Sequence, residues 1–234
     1  MIEDSKQNQR SVSRHQPGGI KILHEDRDII VVDKPAGLLT MATEREREKT
    51  AYFLLTDYVR KGNPKSSNRI FIVHRLDRET SGVLVFAKTE QAKNFLQDNW
   101  QNFSKKYVAV VRGNLKEKQG VIESYLAENR AFRVFSVSNP AKGKFSKTGY
   151  LVLRENEIFS LLEIDLFTVT KNQIRVHFSE MGHPVAGDLT YGTNEKGLKR
   201  MALHAMQIEF LHPFTKASVF FKTDIPSYFF DLTR

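Results

Sequence analysis

The sequence predicts one α+β domain, a mixed and largely antiparallel sheet with a few packed helices. Three observations point there. Apolar, β-rich runs outnumber stretches with helical spacing. Several of these runs follow one another without room for the helical crossover that parallel pairing requires. No repeat of roughly 20–50 residues and no Pro/Gly-rich linker divides the 234 residues, a length that suits one large domain at about 150 residues each.

Residues 1–19 are polar, close on Pro17-Gly18-Gly19 and show no apolar period, which predicts a mobile tail ahead of a domain over 20–234. Ile20–His24 and Asp28–Asp33 flank the charged turn Glu25-Asp26-Arg27 and predict a hairpin. Lys34-Pro35-Ala36-Gly37 then breaks the second strand, and Met41–Lys49 reads as a charged loop or helix entry. Ala51, Leu54, Leu55, Tyr58 and Val59 recur at helical spacing until Gly62-Asn63-Pro64 stops them. Ile70–Val73 and Val83–Ala87 predict strands on either side of the polar segment His74–Gly82. Ala92, Phe95, Leu96 and Trp100 share one face of an amphipathic helix. Tyr107–Val111 is continuously apolar, as a strand buried on both faces should be. Val121–Leu126, Phe132–Val137, Gly149–Leu153 and Phe159–Thr168 follow as strands, and the segment Pro140–Gly149 carries Lys142, Lys144 and Lys147 on a predicted hairpin loop. Ile174, Phe178 and Met181 predict a short helix ended by Gly182, and Met201–Phe210 and Ala217–Lys222 close the chain as strands.

Composition narrows the chemistry. Lys+Arg number 36 against 27 Asp+Glu, a formal net charge of +9 with a pI near 9.6. That balance favours a polyanionic partner, nucleic acid above all, through counterion release and steering. The lack of Cys excludes a disulfide scaffold, a zinc ribbon, an iron–sulfur cluster and a cysteine nucleophile. No apolar run nears the ~20 residues of a membrane span, and the polar N-terminus has no signal-peptide core, so a soluble cytoplasmic protein without membrane attachment is expected. The sequence has no glycine-rich phosphate loop, no His-x-x-x-His ligand pair and no Gly-x-Ser-x-Gly elbow, so a nucleotide cofactor, a metal site and serine hydrolysis are not expected.

The most unusual segment is His74-Arg75-Leu76-Asp77-Arg78-Glu79-Thr80-Ser81-Gly82, a loop dense in ionisable groups between two apolar strands. A rigid scaffold presents reactive side chains in this way. Asp77 between Arg75 and Arg78 reads either as a base or nucleophile beside a phosphate backbone or as a salt-bridged turn. This nonapeptide closely resembles the His-Arg-Leu-Asp signature loop of the RluA family of RNA pseudouridine synthases. The likeness extends over residues 22–226. Ile22–Gly37 resembles the family's first motif, and Lys106–Gly113 resembles its tyrosine motif. Gln173-Ile174-Arg175, Gly182-His183-Pro184, Gly187-Asp188, Tyr191-Gly192, Leu203-His204-Ala205 and His212-Pro213 follow in the family's order.

The resemblance implies the pseudouridine synthase fold around a central cleft, without a separate S4 RNA-binding domain, and the isomerisation of a specific uridine in structured RNA, rRNA first and tRNA next. The N1–C1′ bond breaks, C5 joins C1′ and the C5 proton leaves, which needs no cofactor. Asp77 is implied as the nucleophile, attacking C1′ or C6 or assisting a glycal. Arg175 is implied as its ion-pair partner, and Tyr107 packs on the uracil and helps move the C5 proton. Arg75 is implied to fill the space left by the flipped base, and His74, Arg78 and Lys171 join it as RNA contacts. Ile174 and Leu203 are expected pocket walls. The family's Thr-Gly-Arg-x-His-Gln-Ile-Arg reads Thr168-Val169-Thr170-Lys171-Asn172-Gln173-Ile174-Arg175 here, losing a glycine and a cationic contact. That departure favours an alternative, a non-catalytic RNA-binding or RNA-folding protein on the same fold. Nothing in the sequence calls for more than a monomer.

Overall fold

The computed structural model describes residues 16–44, 46–192 and 197–234. Most of the expected N-terminal tail, residues 1–15, lies outside the described residues. In the remainder of that stretch Pro17–Gly19 form a 3-10 turn in which Pro17 is buried, while Gln16, Gly18 and Gly19 are exposed. The hairpin follows as β1 (Lys21–Glu25) and β2 (Ile29–Lys34). The Asp26 carboxylate closes its turn by accepting the N–H groups of Asp28 and Ile29, both at 2.8 Å.

Helix α1 (Ala51–Arg60) starts where Thr50 accepts the Phe53 N–H and stops where Lys61 turns left-handed. Strands β3 (Phe71–Ile72) and β4 (Ser81–Ala87) bracket the signature loop. Helix α2 (Glu90–Asp98) is capped by Thr89, and Trp100 falls beyond it in a separate 3-10 turn. Strands β5 (Ser104–Arg112), β6 (Gln119–Glu128), β7 (Val134–Val137), β8 (Lys144–Glu155) and β9 (Phe159–Leu166) follow, then α3 (Gln173–Glu180). The chain finishes with β10 (Leu203–Leu211), β11 (Ser218–Lys222) and α4 (Ser227–Leu232).

Among the described residues one eleven-stranded sheet runs in the order β1-β2-β4-β10-β5-β9-β8-β6-β7, with β11 on β10 and β3 on β4. Every pairing is antiparallel except β10 with β4, where His204 and Ala205 lie beside Ser81 and Gly82. Gly82 is required at this junction. Its φ is +112°, and a Cβ there would fall 2.1 Å from the Ala205 carbonyl oxygen.

Helices α1 and α3 cover one face and leave a gap between them. Ala51, Leu55 and Val59 pack with Ile30, Val32, Leu84 and Phe86. Ile174 and Phe178 pack with Ala109, Val111, Leu162 and Ile164. Tyr107 touches both groups and so floors the gap. On the opposite face α2 packs on Val31, Val83 and Val85, and Phe229 of α4 packs on Val108 and Val110. No helix among the described residues is long and apolar enough to cross a membrane.

Four local expectations change. Phe132 is not strand but turn, at φ +60°, and β7 begins two residues later. Much of the expected Lys-rich loop belongs to the long strand β8, whose pairing with β6 continues to Lys144. Met181 caps α3 and stays exposed because the helix has ended before its side chain can reach the core. Helix α4 was not anticipated, since its apolar residues crowd into one turn and a half and give no readable period.

Candidate active site

The signature loop is held from beneath by the loop after β2. Lys34 is fully buried, and its Nζ donates to the carbonyls of Pro35, Leu38 and Arg78 at 3.0, 2.7 and 3.2 Å. Burial lowers its pKa to about 8, against the opposing pull of Glu79 and Asp77. The Gly37 N–H donates to the Arg78 carbonyl at 2.8 Å. Thr40 Oγ1 donates to the Leu76 carbonyl and accepts the Leu76 N–H at 2.8 and 3.2 Å. The bonds that reach the signature loop fall on Leu76 and Arg78, either side of Asp77, so its backbone has little freedom.

Above these anchors opens a cleft of about 730 Å³. Its walls include Asp77, Tyr107, Leu166, Val169, Ile174, Arg175 and Leu203, with Met41 and Arg75 at one side. Arg175 Nη1 donates to Asp77 Oδ2 at 2.8 Å. The other edge of the guanidinium grips Asp188, Nε to Oδ2 at 2.6 Å and Nη2 to Oδ1 at 2.8 Å. Asp188 carries no exposed side-chain surface, Arg175 is 13% exposed and Asp77 is 39% exposed. The arginine is therefore clamped from the protein side and presents Asp77 to solvent.

Burial opposes the charges of this pair, but their mutual contact wins on both sides. Arg175 is raised by Asp188 and then Asp77 against its desolvation. Asp188 is lowered by Arg175 and by the N–H groups of Tyr191 and Thr190 against its own. Asn172 stands at φ +55° just before α3, a conformation that Asn tolerates. Its Oδ1 accepts from Arg175 Nη1 at 3.3 Å and its Nδ2 donates to Tyr191 Oη at 3.1 Å. The Tyr191 ring lies 5.1 Å from the Arg175 guanidinium carbon. Tyr107 is half-buried, and burial and then Asp77 raise its pKa, so it remains a neutral phenol.

The predicted RNA contacts fare unevenly. Arg75 is exposed, and its Nη1 lies 3.5 Å from Met41 Sδ. Arg78 is committed to Glu46, and Lys171 to Glu128. His74, expected as an RNA contact, lines the cleft as an uncharged ring. It stacks on Trp100 with ring centroids 4.1 Å apart and its Nε2 accepts the Val85 N–H at 3.0 Å. Burial, then Lys105, lowers its pKa to about 3, so the ring is neutral. Ile174 and Leu203 line the cleft as expected. Lys147 pairs with Glu123 at 2.8 Å, and Lys144 donates to the Val169 carbonyl at 3.2 Å.

Sequence reasoning did not single out Asp188, Tyr191, Asn172 or Lys34 for the site. Asp188 and Tyr191 were visible as Gly-Asp and Tyr-Gly pairs, but their clasp on Arg175 depends on tertiary contact. Among the described residues one grouping has metal-ligand types, Asp26, Asp28 and His212, and none of the three lines the cleft. His24 and His212 both reach Asp26 Oδ2, at 2.8 and 3.0 Å. His212 Nδ1 accepts the N–H groups of Phe214 and Thr215, which places its proton on Nε2, aimed at Asp26. The group is a hydrogen-bonded clasp between two turns.

Comparison with known proteins follows the same line. The RNA pseudouridylate synthase family model matches residues 28–180, more than half of the chain. The chain is 33% identical over 221 residues to the uncharacterized RNA pseudouridine synthase YhcT of Bacillus subtilis, covering 93% of this chain and 72% of that protein. It is 36% identical over 220 residues to the ribosomal large subunit pseudouridine synthase D of Nitrosomonas europaea, covering 88% of this chain and 62% of that protein. The solved structure of human RNA pseudouridylate synthase domain containing 1 superposes with a TM-score of 0.73 at 26% identity, covering 92% of this chain and 87% of that one. On this extent of match the chain belongs to the RNA pseudouridylate synthase family of the RluA type, whose members are isomerases.

Proposed function

We propose that this protein isomerises a specific uridine of structured RNA to pseudouridine, with rRNA the first candidate and tRNA the second, and with Asp77 as the nucleophile. The observation that carries the reading is the Asp77–Arg175–Asp188 array, a carboxylate half-open to the cleft and aimed by an arginine that a buried carboxylate holds from behind. The large-subunit name of the 36% identical relative supports rRNA.

In this reading the target base leaves the RNA stack, because a base inside a helix is out of reach. Arg75, exposed and without a carboxylate partner among the described residues, enters the vacated space. Asp77 attacks C1′ or C6, or assists a glycal, and the N1–C1′ bond breaks. Arg175 keeps the carboxylate in place as charge moves off and back. The uracil turns between Tyr107, Ile174 and Leu203, C5 bonds to C1′, and the C5 proton departs. Tyr107 acts as a neutral phenol that packs on the base and relays the C5 proton, taking it at Oη as its own hydroxyl proton passes to solvent in the cleft. The altered stretch before α3 supports this machinery, since Asn172 braces Arg175 and Tyr191.

The test is tritium release from C5-tritiated uridine in bulk rRNA and, separately, bulk tRNA, both from cells lacking this gene. Release from one pool establishes the isomerase and its substrate class. Tight binding without release from either pool would instead establish the non-catalytic RNA-binding reading.

A further inference from the structure

The turn between β6 and β7 holds an aromatic ring where none is required for packing. Phe132 is 75% exposed, and its backbone lies at φ +60°. A glycine or asparagine would take that conformation with less strain, and either would spare the protein an apolar ring in water. An exposed ring on a strained backbone is a candidate for contact outside the fold.

The turn is built to hold this ring still. Asn129 Oδ1 accepts the N–H groups of Ala131 and Arg133 at 2.9 and 3.0 Å, and the Phe132 N–H donates to the Asn129 carbonyl at 2.9 Å. It is also tied to the rim of the cleft. Lys171, a cleft residue, donates to the Phe132 carbonyl at 3.1 Å, and its Nζ sits 5.4 Å from the ring centroid. The Val134 N–H donates to Tyr191 Oη at 2.9 Å, and Tyr191 backs Arg175. Arg130 and Arg133 are exposed on the same turn, with no carboxylate pairing among the described residues, and the Arg133 guanidinium carbon lies 5.2 Å from the centroid of the Tyr191 ring.

We propose that Phe132 is a stacking platform for an unpaired nucleobase of the RNA, beside the base that enters the cleft. The proposal rests on the RNA-modifying reading above. Every base has a π-face, so an exposed ring on a rigid turn serves any sequence. Arg130 and Arg133 take the adjoining phosphates. Lys171, drawn to the ring and paired with Glu128, stiffens the platform without needing to touch RNA itself.

Phe132→Ala, Phe132→Leu and Phe132→Trp test this, with thermal melts to establish folding. Their affinities are measured for the tritiated rRNA and tRNA pools and for a blunt, fully paired RNA duplex. The alanine and leucine variants are expected to bind the preferred pool about 5- to 150-fold more weakly, the range of one stacked base, with duplex affinity unchanged. The tryptophan variant should keep its affinity, and its added fluorescence should be quenched by that pool. Wild-type affinity in the alanine and leucine variants, with no quenching of the tryptophan variant, overturns the platform and leaves the isomerase reading intact. A wild-type protein that releases no tritium overturns that reading, while the quenching experiment still decides the platform.

Discussion

Among the described residues the Asp188 carboxylate bonds its arginine and two backbone N–H groups, and it lies wholly out of solvent. Removing one partner of a buried ion pair leaves the other uncompensated, at a cost of about 3–5 kcal/mol. Asp188→Asn is therefore expected to lower stability by that order in urea denaturation and to depress kcat more than it raises KM, since Arg175 loses its anchor and Asp77 its aim. An unchanged urea midpoint would contradict the clasp. At this scale the motifs located Asp77, Tyr107, Arg175, Ile174 and Leu203, because each sits in a short pattern with its own chemistry. The same motifs place His74, Arg78 and Lys171 on the cleft lining, but their partners were not legible, because a sequence shows a charge and not what pairs with it. Glu46 and Glu128, which take Arg78 and Lys171, lie 32 and 43 residues away along the chain.

Among the elements, β10 carries the fold's parallel junction and a buried relay. Arg200 Nη1 donates to Ser81 Oγ at 3.1 Å, Ser81 Oγ meets His204 Nδ1 at 2.8 Å, and His204 Nε2 meets Thr223 Oγ1 at 2.8 Å. Burial, then Arg200, lowers His204 to about 4, and burial likewise lowers His177 in α3 to about 4. The unfolded imidazoles bind protons below about pH 6.5, the folded ones only below about 4. Between those values the unfolded state holds more protons, so stability falls as pH falls through that window. Each buried histidine should contribute up to about 3 kcal/mol of that loss. Urea midpoints recorded from pH 7 to pH 4 check this, and His204→Gln should flatten the slope; a pH-independent midpoint would contradict it. Gly82→Ala should prevent β4 and β10 from pairing, so circular dichroism is expected to report an unfolded or aggregated chain. The sequence read most strands and helices correctly because alternation, caps and Gly/Pro breaks are local signals. It could not read the end of β6 and the turn at Phe132, where a positive φ is imposed by Asn129 and Lys171.

Across the whole molecule, the order of strands was not legible. The sheet places β10 between β4 and β5, so the signature loop, the Tyr107 strand and the Leu203 strand converge although they are far apart in sequence. Only the resemblance of ordered motifs foretold that convergence. The net charge of +9 was legible, and it predicts that RNA affinity falls steeply with salt, by about 0.7 of a log unit per log unit of salt for each single-strand phosphate contact. A flat salt titration would contradict phosphate-led binding. Covalent chemistry by Asp77, in a cleft that grips RNA by other means, separates turnover from affinity. Its most direct test measures turnover and RNA affinity together for Asp77→Asn. Tritium release is expected to fall by on the order of 10³-fold or more, with affinity within a few-fold of wild type. An Asp77→Asn protein that turns over RNA at the wild-type rate would contradict it.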